Sequence, residues 1–151
     1  MRTILPFRRP VVLPVPRRRG SSVARLRYNR GMILHLTPLD DWLAAPDRPY
    51  TPDSLANEGY LHCAPDERTA LAVANARFGE VHGPLMVLLI DEDALDAPVR
   101  WEAADGVPPP GAAEDVLFPH VHGPVNRGAV AGMLEVRRGP DGRWASLVAW
   151  S

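Results

Sequence analysis

Five histidines and a single cysteine carry most of the reactive chemistry in this 151-residue chain. His35 in ILHLTP, His62 in GYLHCAP and His120 in LFPHVHG each sit where a strand-like run meets a turn, with His122 beside the last. Such junctions are where rigid elements present side chains to a cleft. Imidazole can move protons near neutral pH or ligate a metal when neutral. His120 and His122 project from one face if their stretch is extended, because the side-chain period of a strand is two. HxH on a strand can also chelate, so a histidine metal site stands beside a ligand-binding or proton-transfer cleft as an alternative.

Cys63 directly follows His62, so the two side chains point to opposite faces of a strand and cannot form a Cys–His nucleophile pair. The thiol is expected in the core. The chain has no lysine, which rules out Schiff-base chemistry and a P-loop lysine, and no glycine-rich phosphate loop occurs. Glu102 in RWEA and Glu114 in AAEDV are the carboxylates nearest the later strand ends, where either could stabilise a developing positive charge.

The elements that must position these residues follow from pattern. MILHL (32–36) is a short strand feeding a helix over 37–45, with Thr37 at its cap and Pro38 at its first position. PDRPYTP (46–52) is too proline-rich for either element, and GYLHCA (59–64) alternates as a second strand. Residues 65–79 form the clearest helix, with Leu71, Ala74, Asn75 and Phe78 on one stripe. LMVLLI (85–90) is an unbroken apolar run suited to a strand covered on both faces. PVRWEA (98–103) and VLFPH (116–120) flank a loop, and residues 131–138 and 143–150 form a hairpin through GPDG. Strands that are largely consecutive after two strand–helix steps indicate an α+β fold with two short helices.

Residues 1–31 carry nine arginines, four prolines and no acid, against eight arginines and all eighteen acids in residues 32–151. The first segment is expected to be a disordered basic extension, with Met32 a natural start and 32–151 the folded domain. Nucleic-acid binding is expected only through that tail, if at all. No run reaches the roughly 20 apolar residues of a membrane span, no secretory signal is evident, and one cysteine suits a reducing cytoplasm.

Taken in order, ILHLTP, LANEGYLHCA, LAVANARF, LLID with PVRWE, and LFPHVHGPVN resemble the small bacterial proteins grouped as domain of unknown function 952. The resemblance runs from about Met32 to about Val148. Where the family pattern resembles GFIHCS and FPHLYGP, this chain has GYLHCA and FPHVHGP, so Ala64 replaces a hydroxyl and His122 a tyrosine.

The resemblance implies an ADP-ribosyltransferase-like fold, a split, mostly antiparallel sheet pair clamping NAD. In that setting His35, with Thr37 in the same motif, would contact the dinucleotide. Tyr60 or His62 would stack on nicotinamide, and His122 would line the wall. Glu114 would stabilise the ribosyl cation as nicotinamide leaves, with Glu102 as substitute, and His120 would complete the catalytic pair. A small-molecule nucleotide ligand, possible NAD use and weak ADP-ribosyl transfer or NAD hydrolysis are the implied activities. A non-catalytic ligand-binding module is the alternative.

Overall fold

The computed structural model describes residues 31–150. The basic extension, apart from Gly31, lies outside the described residues. Strands β1 (Met32–Pro38), β2 (Leu61–His62), β3 (Leu85–Asp91), β4 (Val99–Ala103), β5 (Leu117–Val121), β6 (Val130–Arg138) and β7 (Trp144–Ala149) alternate with helices α1 (Leu39–Leu43), α2 (Asp53–Glu58) and α3 (Glu67–Arg77). They form a four-stranded sheet in the order β1-β3-β6-β7 and a three-stranded sheet in the order β2-β5-β4. Every strand pairing is antiparallel. One bridging pair, Leu34 with Ala64, stitches the sheets together through backbone bonds of 2.9 and 2.7 Å.

The mixed α+β class with mostly antiparallel sheets is therefore as expected, with three α-helices among the described residues rather than two. The apolar run of β3 is covered on both faces. Leu85 and Val87 join Leu34, Leu36, Val136 and Trp144 under α3. Leu88 and Ile90 join Ile33, Tyr50, Cys63 and Val121 on the other side. Each of these large aliphatic side chains contributes about 1.5–3 kcal/mol by leaving water. Because β1 alternates, His35 and Thr37 share the face of Ile33.

Two expectations change. Thr37 is not a helix cap: β1 continues through it, paired with Met86, and helix α1 begins only after Pro38, which occupies the cap position without a side-chain bond. The short helix α2, left unassigned by the sequence patterns, is closed by Gly59 at φ +90°, whose N–H bonds the Leu55 carbonyl. That left-handed position is one that glycine takes without a Cβ penalty.

Helix α3 follows its expected course, with the Asp66 carboxylate accepting from the Thr69 N–H at 2.8 Å. Its Asn75 reads the start of β7 from both sides. The amide nitrogen donates to the Trp144 carbonyl and the amide oxygen accepts from the Trp144 N–H, each at 2.9 Å. Replacing Asn75 with Ala leaves both backbone groups beside a buried indole without partners, a loss of about 2 kcal/mol. Asn75→Asp is expected to cost at least as much, because a carboxylate oxygen then faces the Trp144 carbonyl. Urea unfolding midpoints of the two variants check this; a shift confined to the Ala variant would show that the donor half is dispensable.

Candidate functional site

Where the two sheets part beyond the Leu34–Ala64 pair, a cleft of about 540 Å³ opens. Its floor is β1, its walls are α2, β2 and α3, and its far side is His120 of β5 with Ala104, Asp105, Val107 and Pro109 of the loop that follows β4. His35, Thr37, Tyr60, His62 and His120, all singled out from the sequence, line this cleft. Tyr50, Asp41, Asp53, Glu58, Asp105 and Arg77 join them, and no local sequence signal marked those.

The floor is a buried hydrogen-bond chain. His35 Nδ1 donates to the His62 carbonyl at 2.7 Å, and its Nε2 lies 3.2 Å from the Tyr50 hydroxyl. Tyr50 donates to Thr37 Oγ1 at 2.9 Å, and Thr37 donates to the Pro38 carbonyl at 3.1 Å. Nδ1 of His35 is thus fixed on the His62 carbonyl, which ties β1 to β2, and Nε2 lies against the Tyr50 hydroxyl. Burial pushes the His35 pKa down to about 4; the bond to the His62 carbonyl works the other way, and the charge of His62 adds to the lowering. Burial likewise pushes Tyr50 up to about 12, against the opposing bond to Thr37.

The wall is a cluster of rings. Tyr60 stacks on His120 with centroids 4.2 Å apart, while His62 lies 4.9 Å and His122 5.3 Å from the same tyrosine. Partial burial raises the Tyr60 pKa, helped by the charges of Glu58, Asp105 and Glu102. His120 Nδ1 donates to Glu102 Oε1 at 2.6 Å. His62 Nε2 donates to Glu58 Oε1 at 2.9 Å. The hydrogen bond from His120 holds the exposed Glu102 carboxyl below its ordinary range.

The carboxylate expected beside His120 is therefore Glu102 and not Glu114, which is exposed in the loop before β5 and does not line the cleft. Register explains the exchange. Arg100 faces His120 across the β4–β5 ladder, and Glu102 lies two residues on, on the same sheet face. Long side chains span such diagonals. His122 stands just past the end of β5, its N–H on the Pro98 carbonyl, with Nε2 buried and without a partner. It reaches Tyr60 but not the cleft lining.

Cys63 is buried, and burial pushes its thiol pKa up, which keeps it protonated as a core residue. Among the described residues no three His, Cys, Asp or Glu side chains are placed to share a metal ion, so the histidine chelate gains no geometric support. No helix among the described residues is long and apolar enough to cross a membrane.

The protein-family model described as "Protein of unknown function (DUF952)" matches residues 36–133. Among solved structures, the crystal structure of CC0527 from Caulobacter crescentus is similar at 20% identity and a TM-score of 0.55, over 76% of this chain and 93% of that one. The solution structure of the same protein gives 23% identity and a TM-score of 0.53, over 76% and 91% of the two chains. No curated protein matches. These structural likenesses carry the mixed α+β fold and give no support to the ADP-ribosyltransferase-like grouping expected above. The chain belongs to the DUF952 family, whose function is unknown.

Proposed function

We propose that the cleft is a small-molecule site in which His120 moves a proton, with Glu102 fixing its tautomer. One observation carries this reading: the 2.6 Å His120–Glu102 bond at the wall of a cleft of about 540 Å³. That volume lies in the range of small-molecule pockets. With Nδ1–H given to a carboxylate, neutral His120 keeps its Nε2 lone pair for a ligand, the arrangement that a general base requires.

The charge of the lining narrows the ligand. Asp41, Asp53, Glu58 and Asp105 line the cleft together with one arginine, Arg77, which favours a neutral or cationic molecule over an anion. NAD use has one observation in its favour. Breaking a nicotinamide–ribose bond creates positive charge on the sugar, and the carboxylates that line the cleft, Asp41, Asp53, Glu58 and Asp105, have the right sign to stabilise it, whereas Glu102 stands behind His120 and outside the lining. The acidic lining opposes the diphosphate of NAD, so nicotinamide riboside, which has none, is the better test ligand.

Calorimetry of the full chain with NAD and with nicotinamide riboside, together with an assay for free nicotinamide, tests both steps. The expected result is tighter binding of the riboside and nicotinamide release that His120→Gln slows by about 10²–10⁴-fold while binding persists. Silence with both compounds retires nicotinamide ribosides as the ligand class. Turnover unchanged in His120→Gln overturns the proton-transfer role.

A further inference from the structure

We propose that His62 is a second proton carrier of this cleft, matched to His120, so that one ring takes a proton from a bound molecule while the other gives one. The inference rests on the reading of the cleft as a small-molecule site and adds a catalytic residue and a reaction class to it.

The two histidines are direct cross-strand partners in the β2–β5 ladder, and their rings lie 5.5 Å apart, edge to face. Each has its own carboxylate, but through opposite nitrogens: His62 uses Nε2 on Glu58, and His120 uses Nδ1 on Glu102. Neutral His62 therefore keeps its lone pair on Nδ1 and neutral His120 on Nε2. Neither free nitrogen is sealed in the protein, because His122 Nε2 is the one buried, unpartnered side-chain nitrogen or oxygen among the described residues. Both rings line the same cleft.

The charged and titratable groups around the pair come from every neighbouring element. They are His35 on β1, Glu58 on α2, Tyr60 before β2, Arg77 on α3, Arg100 and Glu102 on β4, Asp105 after it, and His122 after β5.

Such a pair suits hydrolysis of a neutral or cationic molecule at a carbon bearing an oxygen or nitrogen leaving atom. His120 Nε2 takes a proton from water as the water oxygen bonds to that carbon. The bond from carbon to the leaving atom breaks with its electron pair, and that atom takes the proton held on Nδ1 of protonated His62. His62 is placed at the leaving side because its side chain is one-third exposed, at the mouth, where a product departs. Loss of the Nε2 proton of His120 to solvent and uptake of a proton from solvent by His62 Nδ1 restore both rings.

Two measurements on the full chain test this. Long-range ¹H–¹⁵N spectra, recorded where both rings are neutral, should show the proton of His120 on Nδ1 and that of His62 on Nε2, with Glu102→Ala moving the His120 proton to Nε2. Bromoacetamide, a small neutral alkylating agent, should then modify His62 or His120 in any one chain but not both, while exposed His82 reacts independently, as peptide mass mapping would report. A His62 proton on Nδ1, or chains alkylated at both rings, overturns the pairing. Failure of nicotinamide riboside to bind touches neither readout, so loss of that ligand class and loss of the pair are told apart.

Discussion

Lowering the pH from about 7 to about 4 removes about 3 kcal/mol of stability through His35 alone. An unfolded histidine titrates near 6.5, whereas burial holds His35 at about 4 in the folded protein. Between those values the unfolded chain binds a proton that the native ring refuses, so stability falls as the pH falls from 6.5 and the loss is complete below about 4. The folded ring is buried, with Nδ1 already given to the His62 carbonyl, so charge brings it no water. Urea unfolding across this range, in the native chain and in His35→Gln, isolates the contribution. The variant starts less stable at neutral pH but loses stability more slowly, by up to about 1.4 kcal/mol per pH unit. Parallel losses in the two chains would assign the acid sensitivity to other groups.

Arg127→Ala is expected to destabilise the fold by about 3 kcal/mol. Its guanidinium reaches back across the chain and donates to three backbone carbonyls, of Arg48 at 2.7 Å and of Trp42 and Ala45 at 2.9 Å each. Helix α1 has no basic side chain in its last turn, so the guanidinium is the donor for the Trp42 and Arg48 carbonyls, while that of Ala45 also accepts from the Arg48 N–H at 3.1 Å. The same guanidinium sits 4.1 Å from the centre of the Trp42 ring. Arg127→Lys keeps the charge but lacks the planar fork, and recovers about 1 kcal/mol. The effect reaches the cleft, because Trp42 packs edge-on against Tyr50 at 5.5 Å. A shift below about 0.5 kcal/mol in urea unfolding would show that water replaces the guanidinium at little cost.

The parts of the fold that rest on local pattern were legible. The apolar run of β3, the α3 helix and the closing hairpin each advertise themselves within a dozen residues. Thr37 shows the limit. Its proline neighbour and following acids look like a helix start, but pairing with β3 and the hydroxyl of Tyr50 hold it in the strand. Helix α2 escaped because six residues carry no full apolar stripe.

At the site, the histidines stood out by type and by their place at strand ends. Their carboxylate partners did not. Glu114 lies close to His120 in sequence and far from it in role, whereas Glu102 lies 18 residues away and is brought beside it by strand register. Register between β4 and β5 depends on a 13-residue loop whose length the pattern does not convert into pairing.

Among the described residues the Leu34–Ala64 pair is the one bridge between the two sheets at β1. A continuous seam there would have sealed the space now open to ligand. A molecule too wide for the cleft therefore works against two backbone bonds and the packing behind them, as a hinge pin resists a door, while the pairing within each sheet stays whole.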